Sequence, residues 1–251
     1  MTLRAGSGDP VPTPSSRVIF TEGGKGGVGK TAFMAGLVGW FETRRIPYAL
    51  LDLDTENKVR GSLTHYFPDK AKKVDIHTPD GLNAVVEALT PETPIVLADL
   101  GAGSGHVVHE WFRSAGEQVT EKGVVFTAVS VITPDPPSVE SVLRWASELQ
   151  RRVDYLVVKN VLHNPPDFSH WEQNPKAEQF RQFFRPQEME VEYRAEQFET
   201  LMRHFGVTVG QAADRQVNIR ELQQASVVLR AQAYRRHLFA ELDRVKGCLL
   251  L

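Results

Sequence analysis

Residues 23–31 read Gly-Gly-Lys-Gly-Gly-Val-Gly-Lys-Thr, and no other stretch restricts the fold of this chain as tightly. Five glycines in nine positions cost conformational entropy that an ordinary turn would avoid, so close approach of a backbone to a ligand is the better reason for them. Gly24 through Thr31 satisfy the spacing G-x-x-x-x-G-K-[ST] of a phosphate-binding loop. In such a loop the amides of Gly26, Gly27, Val28, Gly29, Lys30, Thr31 and Ala32 close around a phosphate chain. Lys30 reaches the terminal phosphates, and the Thr31 hydroxyl faces a magnesium ion. The flanks agree. Arg17 to Thr21 is a β-rich apolar run, and Ala32 to Arg44 carries apolar residues at helical spacing. A strand, a glycine loop and a helix put the phosphates at a helix N-terminus, where unpaired N–H groups and the dipole favour anions.

The rest of the chain repeats this alternation. Strands are expected at Tyr48–Asp52, Val74–His77, Pro94–Asp99, Val124–Ile132 and Val153–Val158, with helices at Asp80–Leu89 (opened by Pro79), His106–Ala115 and Ser138–Arg151 between them. The expected fold is α/β: a doubly wound, mostly parallel sheet of Rossmann-like type with its ligand at the strands' carboxyl ends. Residues 1–16, rich in Gly, Pro, Ser and Thr, read as a tail, and 17–251 as one domain. A helical insert is expected over 163–206, with a strand returning at Val207–Val209 and helices closing the chain over Asn218–Val245.

Lys25 stands five positions before Lys30, where the basic loop pattern needs no lysine. The string K-G-G-x-G-K-T resembles the deviant Walker A signature of the ParA/MinD ATPases. That resemblance covers residues 17–160 and implies ATP and Mg²⁺ as ligands. It also implies a face-to-face homodimer in which Lys25 crosses to the partner's nucleotide and neutralises charge during phosphoryl transfer. By the same resemblance Asp99, closing an apolar strand, is the Walker B carboxylate opposite Thr31, and Leu100 to Gly103 follows as switch II. In the Leu51 to Asn57 segment Asp54 positions the attacking water and Asp52 supports the magnesium shell. These two acids, one residue apart at a strand end, are expected on opposite faces and in different roles. Thr55 and Glu56 depart from the family's Pro-Gln, which makes Glu56 a second water-positioning candidate. Asn160, after the strand ending at Val158, offers a donor and an acceptor to the adenine edge, or simply makes a turn before Pro165-Pro166.

A dimerisation switch has no substrate beyond ATP and water, so its output must be binding to a partner surface. The expected role is partitioning, positioning or plasmid transfer, with DNA or a DNA-bound cargo as partner. The alternatives are a targeting or chaperone-type ATPase and a ligase of the dethiobiotin or cobyrinic-acid type. With 29 Lys/Arg against 31 Asp/Glu, no overall basicity announces nucleic acid. Arg203–Leu251 carries a local excess of eight basic over four acidic residues, and Arg144, Arg151, Arg152, Arg230, Arg235 and Arg236 are the DNA-facing candidates. Phe168, Trp171, Phe180, Phe183 and Phe184, among Lys176, Arg181 and Arg185, suit either base stacking or packing on the sheet, and their spacing favours packing. Tyr234, Leu238, Leu242 and Val245 make an apolar stripe, either an amphipathic membrane anchor or, as favoured here, a core-docking helix. One cysteine, Cys248, excludes a disulfide framework and a cysteine metal cluster, and with no apolar signal core a cytoplasmic chain is expected.

Overall fold

The computed structural model describes residues 13–22, 24–55, 61–78, 80–162, 165–192 and 196–251. The chain runs β1 (Ser16–Thr21), α1 (Lys30–Thr43), β2 (Ala49–Leu53), α2 (Leu63–Tyr66), β3 (Ala71–Lys73), α3 (Asn83–Glu87) and β4 (Ile95–Leu100). It continues through α4 (Gly105–Ser114), α5 (Gly116–Glu121), β5 (Val124–Ile132), α6 (Pro136–Leu149) and β6 (Asp154–Asn160). The last part comprises α7 (Ser169–Glu172), α8 (Pro175–Phe184), β7 (Gln187–Val191), α9 (Glu196–Phe205), α10 (Val209–Ala213) and α11 (Ala225–Arg244). The strands form one sheet in the order β3-β2-β4-β1-β5-β6-β7. Every pair is parallel. The expected α/β class holds, and the sheet is wholly parallel.

Strand alternation sends side chains to two faces, and each face has its own core. Val18, Phe20, Leu51 and Leu53 join the layer of α4 and α6, while Ile19, Leu50 and Leu97 meet α1 and α11. Helix α11 lies so close to α1 that a Cβ on Gly36 would come 2.6 Å from Leu238 Cδ2. Tyr234, Leu238, Leu242 and Val245 are buried there. Trp40 Nε1 and Arg44 both donate to the Asp243 carboxylate across the same contact. The apolar stripe is therefore consumed inside the molecule, as a core-docking helix. No described helix is long and apolar enough to cross a membrane.

Several expectations change. Gln187–Val191 is an edge strand paired with β6: Met189 and Val191 alternate into the core, while Glu188 turns to Trp171 and Lys159 and Glu190 is exposed. The insert is thus helical only in part. Val207–Val209 is no strand: Thr208 caps α10 through a box with Gln211, a T-x-x-Q signal present in the sequence. The third strand falls at Ala71–Lys73 instead of Val74–His77, set by pairing with β2, and β1 opens one residue early at Ser16. Helix α3 is shorter than expected, and Pro79 lies outside the described residues.

The insert's aromatics pack on the sheet. Phe168, Trp171 and Phe180 are buried, and Tyr155 contacts Phe180 and Phe184 at ring distances of 5.2 and 5.0 Å. Only Phe183 of the five is exposed, and Arg151 stacks over it at 4.2 Å. The arginine candidates do not converge. Arg144, Arg151 and Arg152 follow α6 on one face of the sheet, and Arg230, Arg235 and Arg236 follow α11 on the other. Arg235 is also held by Asp214 at 2.6 Å.

Since Leu238 is fully enclosed between α11 and α1, Leu238→Ala is expected to cost about 3 kcal/mol. The check is a lowered urea midpoint at unchanged slope; a loss below about 1 kcal/mol would mean that α11 is not docked.

Candidate functional site

The glycine loop joins the carboxyl end of the central strand β1 to α1. Gly29 occupies the N-cap position with φ 99°, a left-handed conformation that favours glycine, and no side chain caps the helix behind it. No acid stands in the first turn. The leading N–H groups of α1 are thus left for a ligand, and that ligand's charge should be negative. Asn160 fixes the loop from β6: its Nδ2 donates to Val28 O at 2.8 Å. A Cβ at Gly29 would sit 2.6 Å from that nitrogen, so this position tolerates no larger residue without displacing Asn160.

Asp99 is the hub. It is fully buried at the carboxyl end of β4, where Thr21 Oγ1 donates to Oδ1 at 2.7 Å and Thr31 Oγ1 to Oδ2 at 2.6 Å. Thr21 Oγ1 in turn accepts from Leu100 N at 2.9 Å, which ties β1 to the start of the next loop. Burial pushes the Asp99 carboxyl up to about 6 against the pull of both threonines and Lys30. An added cation would draw it lower. Thr31 and Asp99 together are two hard oxygen donors, the set that magnesium prefers. They fit that ion.

Asp52 neighbours Asp99 in register on β2. It is already committed: Oδ2 accepts from Thr64 N and Oγ1, each at 3.0 Å, and Oδ1 from Lys73 Nζ at 3.0 Å and Asp54 N at 3.2 Å. The expected opposite-face placement of Asp52 and Asp54 does not follow from strand geometry, which sends positions i and i+2 to one face. What separates them is that β2 ends at Leu53. Asp54, beyond the strand, lines the cleft and abuts Gly101, whose missing Cβ would lie 2.5 Å from Asp54 Oδ1. Glu56 lies outside the described residues.

Lys30 Nζ donates to Lys25 O at 3.2 Å, and the Lys25 side chain is exposed. Gly26, Gly27, Gly29, Lys30, Thr31, Ala32, Asp54 and Asn160 converge on one open cleft of about 500 Å³, within the range of small-ligand sites. Val28 is buried below its loop, leaving only its backbone to the cleft side. The cleft also takes in Gly61, Tyr66, Leu162, Glu199 and Arg203, none of them expected. No local pattern marks these residues, since distant segments bring them together. Also unexpected is Glu22, buried directly below the loop, with Oε1 lacking a hydrogen-bond partner among the described residues. Burial pushes its carboxyl up to about 8. The signal for it was an acid directly following an apolar strand.

No protein-family model matches the sequence, and no curated protein matches it. Among solved structures the chain is similar to the MinC:MinD cell division protein complex of Aquifex aeolicus. That match has a TM-score of 0.50 and 15% sequence identity, and covers 92% of this chain and 96% of that one. It is also similar to the MinD cell division protein of the same organism, at TM-score 0.49 and 14% identity, covering 92% and 97%. The fold is of MinD type.

Glu22 makes the fold pH-dependent. An ordinary glutamate titrates near 4.5, and this one near 8. Between those values the native chain holds a proton that the unfolded chain has lost, so stability falls as pH rises through that window. Glu22→Gln should therefore raise the melting temperature at pH 8 by about 5 °C and leave it nearly unchanged at pH 4.5. Melting curves at the two pH values check this; equal effects at both would remove the buried proton.

Proposed function

We propose that this chain is a magnesium- and ATP-dependent ATPase of ParA/MinD type, which dimerises around two nucleotides and uses hydrolysis to switch its hold on a partner. The observation that carries this reading is the Thr31–Asp99 contact of 2.6 Å at the foot of a glycine-capped helix. The cleft beside it is large enough for a nucleotide. The amides of residues 26–32 bind the phosphate chain, and Lys30 neutralises its terminal charge. Thr31 and Asp99 hold the magnesium ion, which when bound offsets charge between the outer phosphates. Asp52, saturated by Thr64 and Lys73, acts at one remove by keeping the Asp54 amide in place. Asp54 orients the attacking water from the cleft wall, and Gly101 lets it stand there. Asn160 stays close enough to the loop to meet the base while it holds Val28.

Lys25 serves the second subunit. Its side chain is exposed, and among the described residues it forms no ion pair, so it is available to a neighbour's phosphates. The MinD of the solved complex is bound to MinC, and by analogy a protein partner is the output that we favour. DNA has weaker support, because the arginine candidates divide between the two faces of the sheet.

Lys30→Ala should abolish ATP hydrolysis and weaken ATP binding by at least about tenfold. Lys25→Ala should bind ATP within about threefold of wild type, yet stay monomeric by light scattering under saturating ATP in an Asp54→Ala background that blocks turnover. An ATP-independent dimer, or a monomer in both proteins, would refute the sandwich. Gly101→Ala, which displaces Asp54, should lower turnover by about a hundredfold with little change in nucleotide affinity, as single-turnover and binding assays would record.

A further inference from the structure

The chain leaves β7 at one edge of the sheet, and β7 lies five strands from β2. At about 4.8 Å per strand that is roughly 24 Å. Yet the far end of α9 rests against residues just beyond β2. His65 Nε2 is 3.0 Å from Arg203 O, and Arg203 Cδ lies 3.8 Å from where a Gly61 Cβ would be. At Gly206, with φ 62°, a Cβ would come 2.6 Å from His65 O, so α9 ends in a close backbone contact with this segment. Helix α9 therefore lies across the mouth of the cleft, from the Asn160 side towards the Asp54 side. Its inner residues Phe198 and Met202 are fixed in a small core of their own with Val207, Ala212, Ala213, Leu222 and Ala231. The face left over turns Glu199 and, one turn later, Arg203 into the cleft wall.

We propose that Arg203 is a phosphate-binding residue, meeting the outer phosphates of a bound nucleoside triphosphate from the side opposite the glycine loop. This rests on the cleft being the nucleotide site. Three observations carry it. Arg203 lines the same cleft as Lys30 and Thr31. It belongs to the end of α9 that reaches Gly61 and His65, on the Asp54 side, where the last phosphate would lie. Its side chain is exposed and, among the described residues, makes no ion pair, so no resident carboxylate has to be displaced. The planar guanidinium fork suits two phosphate oxygens at once. Among the described cleft-lining residues, Lys30 and Arg203 are the basic ones, and they share the cleft with Asp54 and Glu199. Lys30 Nζ donates to the Lys25 carbonyl.

The test compares wild type, Arg203→Ala and Arg203→Lys by calorimetric titration with ATP, ADP and AMP in magnesium buffer. Removing a charge-assisted contact should weaken ATP binding by about tenfold or more and AMP binding by less than about twofold, with the lysine variant in between. ATP affinity unchanged in Arg203→Ala overturns the proposal. So does an equal loss for all three nucleotides, which would put the contact on the nucleoside or mean that α9 had moved. His65→Ala, which loosens the end of α9 and keeps the guanidinium, should weaken ATP less than Arg203→Ala does; a larger effect would make the helix position the cause and also overturn the proposal. Wild-type protein that binds none of the three refutes the nucleotide reading of the cleft, whereas tight wild-type binding with no loss in Arg203→Ala refutes the role of Arg203 alone.

Discussion

Two buried carboxylates sit side by side at the carboxyl ends of β2 and β4, and the way each is neutralised organises everything above them. Asp52 and Asp99 pair in register, and their mutual repulsion helps to raise the Asp99 carboxyl. Asp52 is offset by an ammonium and three further donors. Among the described residues Asp99 accepts from the two threonine hydroxyls, and the charge of Lys30 also favours its ionised form. A buried carboxylate hydrogen-bonded by neutral hydroxyls keeps more of its desolvation cost than one that also accepts from an ammonium. The same two hydroxyls bind the central strand and the first turn of α1 to Asp99. The loop between them is thus held at both ends through Asp99.

That arrangement needs a rigid base, and the two cores supply it. On one face α11 is seated on α1 through the missing side chain of Gly36. On the other, the aromatic residues of the insert close over Tyr155 and the helix α6. Both stripes that offered themselves as surface-binding elements are used up in packing, because a large apolar side chain gains more from full burial than from a transient contact.

The cleft's rim is built from a third, smaller core around α9 and α10, which is seated on α11 through Ala231 and meets the segment beyond β2 at His65. A small core of this kind opens at lower free energy than the large sheet core beneath it. Its Glu199 and Arg203 line the same cleft as Lys30 and Thr31.

The sequence by itself determined the loop, the strand before it, the helix after it and the acids that end strands, since each is a local pattern of a few residues. Lys30, Thr31, Asp99 and Asn160 were legible for that reason, and so was the α/β class. The tertiary structure alone decided which of the acids are already paired, because Lys73 and Thr64 reach Asp52 from segments remote from it in the chain. It also decided that Gln187–Val191 is a strand, since a glutamate-rich run becomes one only when β6 offers it an edge. Arg203 lay beyond any local reading: it reaches the cleft because α9 spans the sheet from β7 towards β2, and a sequence pattern carries no record of which remote segments meet.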